Sequence, residues 1–174
     1  MLTQGDASQL ATLFPAASFD VILCHNVLEF VEDPRAVLRT AALALRDSSG
    51  LISVLVRNRA GEVLKAAILN GDLAAAERNL DAEWGDESLY ESRVRLFTGD
   101  SLQAMVLGSS LAVVAERGVR VMSDYLQPQV SRNDEYERIL QLERELGRRA
   151  EFAAVARYTH CLAHRAGPVM KGGA

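Results

Sequence analysis

The sequence predicts an α/β fold, part of a doubly wound sheet, on three observations. Val21, Ile22, Leu23 and Cys24 form a continuous apolar run, the pattern of a strand buried on both faces of a parallel sheet. A capped helix follows. Asp33 is a suitable N-cap and Pro34 a suitable first helical residue, since that position has no intrahelical partner for an N–H. Leu51 to Val56 is a second apolar run, so strand, helix and strand form one crossover unit, a connection that is right-handed almost without exception.

The 174 residues carry a net charge of −4, which suits one ordinary globular domain and argues against a histone-like nucleic-acid binder. No apolar run approaches the roughly 20 residues of a membrane span, and the N-terminus has no signal-like pattern, so the sequence reads as cytoplasmic. Cys24 and Cys161 lie in apolar runs without C-x-x-C spacing, the setting of two reduced, buried thiols rather than a disulfide or metal pair.

Taken in order, Met1 to Leu10 contains the turn signal Gly5-Asp6 and reads as a turn rather than the start of a fold. His25 and Asn26 close the first strand at its carboxyl end, where open α/β sheets place their ligands. Ala36 to Arg46 is a predominantly apolar helix ahead of Gly50. Glu62 to Leu69, ending at Asn70-Gly71, is a helix with a C-cap, and another short helix is expected after it. Asp72 to Glu91 holds seven acids and one cation, Arg78, so 61–97 reads as a helical, acidic insertion, either solvated or acting as a lid. Asp100 to Leu107 is an amphipathic helix, and Leu111 to Tyr125 reads as two strand-like runs around Gly118. Ser131 to Arg149 is a charged helix whose Tyr136, Ile139, Leu140, Leu142 and Leu146 make a stripe for packing on the sheet. Ala154 to His164 is the last strand.

G-D-A-S-Q-L at Gly5, F-D-V-I-L-C-H-N-V-L-E-F-V-E-D-P at Phe19 and G-L-I-S-V-L-V at Gly50 resemble the middle and later motifs of class I S-adenosylmethionine-dependent methyltransferases. G-V-R-V-M-S-D-Y-L at Gly118 and A-R-Y-T-H-C-L-A at Ala156 are similar to a narrower group, the tRNA 5-carboxymethoxyuridine methyltransferases. The resemblance implies a partial Rossmann-like sheet, mostly parallel, with an antiparallel C-terminal strand and without the N-terminal strands. Residues 1–174 would then be the C-terminal portion of one methyltransferase domain. The family's glycine-rich loop and following acid have no counterpart, since no G-x-G occurs. Either an upstream segment is lost from a truncated gene product or mis-started frame, or another polypeptide completes the sheet. In either case the strand at Val21 is left with an open edge, a pairing hazard unless covered, and a partner chain or self-association there is expected.

The implied cofactor is S-adenosyl-L-methionine, with Asp6, Ala7 and Ser8 at the adenine and His25 beside the sulfonium. Asp6 is also credible as a simple turn residue, and His25 as a strand-end backbone cap. The implied acceptor is a carboxylate on a modified tRNA wobble uridine. That group is already ionised near neutral pH and needs no general base, only a cation to orient it. Arg120 is the first candidate, with Tyr125 and Arg157 next; the alternative is that Arg120 points outward from a strand and merely solvates it. Arg148, Arg149, Arg157, Arg165 and Lys171 against Glu151 form a candidate tRNA surface, and Tyr158 and His160 are candidate stacking residues or core residues. No metal site is expected: His160 and His164 share a strand face about 13 Å apart at about 3.3 Å per residue. Hydrolase and P-loop motifs are missing. The alternative functions are methylation of a small metabolite such as a quinone precursor, and a non-catalytic degenerate module that pairs its open sheet edge with a partner.

Overall fold

The computed structural model describes residues 2–87 and 92–167. Asp6 opens the fold: its carboxylate accepts the Ser8 N–H at 2.8 Å while Gln9 caps the Asp6 N–H at 3.0 Å. This reciprocal capping box starts one 3-10 turn, Ala7–Gln9, that runs into α1 (Leu10–Leu13). The expected turn is therefore the cap of a short helical segment, and Ala7 and Leu10 pack against the core.

β1 (Val21–His25) leads through a turn in which Asn26 takes a positive φ of 52°, a conformation Asn tolerates. α2 (Pro34–Ala44) begins as expected, with Asp33 accepting the Ala36 N–H at 2.9 Å. β2 (Leu51–Arg57) follows. The segment after β2, expected to be a helical, acidic insertion, comprises α3 (Arg59–Leu64) continued by a π-helical turn (Lys65–Leu69), α4 (Leu73–Asn79), and an antiparallel pair of β3 (Trp84–Glu87) and β4 (Ser92–Arg95), the β3–β4 hairpin, that the acidic composition did not suggest. α5 (Gly99–Leu107) is capped by Thr98. β5 (Leu111–Val119) is a single strand through Gly118 with a bulge between Val113 and Ala115, which corrects the expected pair of runs. α6 (Tyr136–Arg148) and α7 (Ala150–Ala153) precede β6 (Tyr158–Arg165).

The main sheet has the order β1-β2-β6-β5. β1 and β2 are parallel, and β6 lies antiparallel between β2 and β5. Three strands thus run one way and the C-terminal strand the other, as the resemblance implies. The register puts Ile22, Ile52 and Ala163 on one face together with Cys24, Val54 and Cys161. That face packs against Val37, Leu38 and Ala41 of α2 and Leu102, Met105 and Val106 of α5, with Leu38, Ile52, Val54, Leu102 and Val106 fully buried. Burial pushes both thiols up to about 12, so they stay protonated and inert.

The opposite face carries Val21, Leu23, His25, Ser53, Leu55, Tyr158, His160 and Leu162. β1 is not buried on both faces: Val21 is 58% and Leu23 67% exposed. The apolar run expected there is real, but its outward side chains stay exposed, and among the described residues β1 pairs with β2 alone. α6 does not lay its apolar stripe flat on the sheet. Gly147 meets the Gly118 backbone so closely that a side chain there has no room, while Tyr136 and Leu142 stay largely exposed. Among the described residues no helix is long and apolar enough to cross a membrane.

Candidate functional site

Arg157 enters just ahead of β6 and is 5% exposed. A buried guanidinium needs compensating charge, and Glu62 and Asp124 supply it: Nη1 donates to Glu62 Oε1 at 3.0 Å, and Nε lies 3.2 Å from Asp124 Oδ2, close enough for an ion pair without hydrogen-bond alignment. Asp124 also accepts Arg120 Nε at 2.9 Å. The guanidinium carbons of Arg120 and Arg157 stand 5.8 and 5.9 Å from the centre of the Tyr158 ring, within cation–π range. Arg120 is itself in the left-handed region, φ 58°, an uncommon conformation outside glycine that marks a locally imposed geometry. The Tyr125 hydroxyl is buried without a hydrogen-bond partner, and burial first, with Asp124 and Glu62 adding to it, pushes it above the usual phenol range.

These groups border a cavity of about 340 Å³ lined by Lys65, Leu69, Arg120, Asp124, Arg132 and Arg157. Glu62 is also approached by Arg57 at 3.7 Å and by Lys65 at 4.0 Å. Of the residues lining that cavity, Lys65, Arg120, Arg132 and Arg157 are cations and Asp124 is an acid, with Glu62 behind Arg157, so positive charge exceeds negative there.

Two residues along β6 on the same face, His160 joins His25 through a hydroxyl: Ser53 Oγ lies 2.8 Å from His25 Nε2 and 2.7 Å from His160 Nε2, and the two rings stand perpendicular with centres 6.0 Å apart. Burial, then the neighbouring His25 and Arg117, hold His160 below the ordinary histidine range. A single hydroxyl proton cannot serve both nitrogens, so at most one imidazole accepts from Ser53 and at least one donates to its oxygen. Glu29, 1% exposed, accepts the Arg57 N–H at 2.9 Å through Oε1 and leaves Oε2 buried without a partner; burial pushes its carboxyl up.

The structure therefore brings the sequence candidates Arg120, Tyr125 and Arg157 into one cluster and puts His25 on the same sheet face, one residue pair along β6. Asp6, Ala7 and Ser8 stand apart, packed toward α2. Arg157 is tied to two carboxylates and is a buried pin rather than a free cation, which removes it from the proposed C-terminal tRNA surface. Arg148 pairs with Glu145 at 3.3 Å, and Lys171 lies outside the described residues. Sequence reading missed Glu62, Asp124, Ser53 and Glu29. Ser53 and Glu29 had a signal, each being a lone polar residue inside an apolar run; Glu62 and Asp124 had none, because their partner is far away in sequence. Among the described residues no cluster of metal-ligating side chains forms.

The profile of the Methyltransferase domain family matches residues 1–53. Over 153 residues the chain is 29% identical to the tRNA 5-carboxymethoxyuridine methyltransferases of Escherichia coli strain K12 and of Escherichia coli O157:H7, covering 84% of this chain and 54% of each relative. The chain spans about half the length of these curated relatives. In fold it is similar to an S-adenosylmethionine-dependent methyltransferase from Listeria monocytogenes described as putative (TM-score 0.58, 13% identity, 95% of this chain and 68% of that one). It is likewise similar to one from Thermotoga maritima described as a possible histamine N-methyltransferase (TM-score 0.55, 13% identity, 95% and 64%).

Proposed function

On the premise that this chain is a member of the class I S-adenosylmethionine-dependent methyltransferase family, we propose that it takes part in methyl transfer to an acceptor carboxylate, that of a modified tRNA wobble uridine. The supporting observation is the single sheet face on which β6 aligns His160 and Tyr158, so that the His25 relay and the Arg120 cluster lie on one side of the sheet, two residues apart along that strand.

The residues present fit part of the cofactor. Asp6 is exposed, its carboxylate is kept below the usual range by the Ser8 hydrogen bonds, and Oδ1 alone takes those bonds, which leaves Oδ2 for an adenine amino group. Ala7 and Ser8 shape that turn. His25 uses Nε2 on Ser53 and so has Nδ1 for a ligand. No G-x-G loop occurs in the chain for the methionine end. When bound, the cofactor supplies an electrophilic sulfonium methyl. The chain's residues orient and desolvate the other reactant: Arg120, with Lys65 and Arg132 at the cavity rim, holds the acceptor carboxylate as an anion, while Arg157 fixes Asp124 and the Tyr158 ring behind it and the unpartnered Tyr125 hydroxyl is left to meet the acceptor. Because the acceptor is already charged, no side chain has to take a proton; the gain is alignment. A planar guanidinium suits two carboxylate oxygens better than an ammonium does.

Calorimetric titration with S-adenosylmethionine, followed by methyl-ester formation on tRNA, tests this. Arg120→Ala is expected to cut kcat/KM about 10²-fold, with Arg120→Lys recovering part of it; equal activity of the alanine variant would remove the orienting role. A second reading is favoured by the exposure of Val21 and Leu23 on the unpaired edge: a non-catalytic module whose β1 takes a further parallel strand from a partner. Small-metabolite methylation is distinguished by turnover on a free carboxylic acid without RNA.

A further inference from the structure

We propose that the cavity beside Arg120 is one end of a cationic trough that tracks the backbone of a single-stranded RNA from that cavity to the β3–β4 hairpin, an inference resting on the RNA reading above. A second cavity, about 520 Å³, lies between α3, α4 and the hairpin and is lined by Lys65, Arg78 and Arg93, with Glu62 and Asp86. Lys65 borders both cavities, so they are adjoining parts of one surface. Along it run Arg132, Arg120, Lys65, Arg78 and Arg93. Among the described lining residues the acids are Glu62, Asp124 and Asp86; Glu62 and Asp124 are engaged with Arg157, Lys65 and Arg120, which leaves Arg78, Arg93 and Arg132 beside Asp86. In a chain of net charge −4 this is a local concentration of positive charge, the footprint of phosphate binding.

The far end adds a feature that phosphate alone does not require. On one face of the hairpin Trp84 lies beneath two guanidiniums, Arg95 at 4.5 Å and Arg93 at 5.5 Å from the ring centre. Arg93 thus belongs both to the trough and to an aromatic platform. A π-face flanked by guanidiniums, next to a basic groove, is how unpaired bases are held without sequence readout. An acidic protein segment would use the charges alone, whereas an unpaired base can also stack beside the indole, which favours RNA.

The test is fluorescence-anisotropy binding of a labelled stem-loop RNA with a uridine-rich loop to the full chain across a salt series. Arg78→Ala combined with Arg93→Ala is expected to flatten the plot of log affinity against log salt by about 0.7 for each lost phosphate contact. Trp84→Ala should weaken binding with the slope kept. Arg144→Ala, an exposed cation on α6, should change neither, and thermal melts verify that each variant is folded. An unchanged slope in the double variant overturns the trough even while RNA binding persists; so does polyglutamate competing as well as RNA. RNA binding with the expected slope but no methyl-ester formation upholds the trough and rejects the carboxylate acceptor.

Discussion

The two faces of the sheet are held by different physics. On the covered face Leu38, Ile52, Val54, Leu102 and Val106 lose all contact with solvent, and stability there is a matter of apolar area and close packing. On the other face the strands present His25, Ser53, His160 and Tyr158 beside half-exposed aliphatics, and order comes from directed polar contacts ending in the Arg157 ion cluster. The covered face decides that the chain folds. The open face decides where charges and hydrogen-bonding groups point, which is what a binding site needs, and the chemistry-bearing residues named by the sequence collect there or at its rim.

That division is tested most severely by Arg157→Leu. Removing the most buried partner of the ion cluster leaves Glu62 with Arg57 and Lys65, and Asp124 with Arg120, all more exposed than Arg157, a loss of up to about 3–5 kcal/mol. Chemical denaturation measures it, and a loss below about 1 kcal/mol would mean the cluster is solvated after all. Leu38→Ala on the covered face should cost about 2–5 kcal/mol. Leu23→Ala on the open face should stay within about 0.5 kcal/mol, and equal costs at the two sites would show that the open face is covered in solution.

The covered face was legible in the sequence because apolar periodicity is a local signal: β1, α2, β2 and α5 fall within a residue or two of their expected bounds. Exposure of Val21 and Leu23 was not legible in the same run. An apolar strand reads alike whether both its faces are covered or one, and coverage depends on distant elements. The Arg120–Asp124 contact spans four residues, yet its meaning depends on Arg157 and Glu62, which are 95 residues apart. The β3–β4 hairpin was hidden for another reason: acidic composition reports solvation, and a two-stranded ribbon with one small buried face satisfies it as well as a helix does.

A smaller effect comes from Glu29, at the seam between the faces. Burial raises its carboxyl above the ordinary range, so near that range the folded chain holds a proton the unfolded chain has released. Its contribution is complete below the ordinary Glu pKa and is lost as pH rises through the raised value. Glu29→Gln keeps an acceptor for the Arg57 N–H and should flatten the decline of melting temperature with rising pH; an unchanged profile would mean Oε2 finds a partner in solution.

The smallest expected effect lies on the open face itself. His160 is held below the ordinary histidine range, so as pH falls below about 6.5 the unfolded chain takes up a proton that the folded chain resists. Stability is full above the ordinary value and lost as pH falls through the lowered one. The cause is burial first, then the neighbouring His25 and Arg117. NMR titration of His160 should show it protonating at lower pH than an isolated histidine. Ser53→Ala should move that curve while leaving the melting temperature at neutral pH nearly unchanged. If the curve stayed in place without the hydroxyl, burial and charge alone would set it, and the open face would not be ordered by the hydrogen bonds that join β1, β2 and β6.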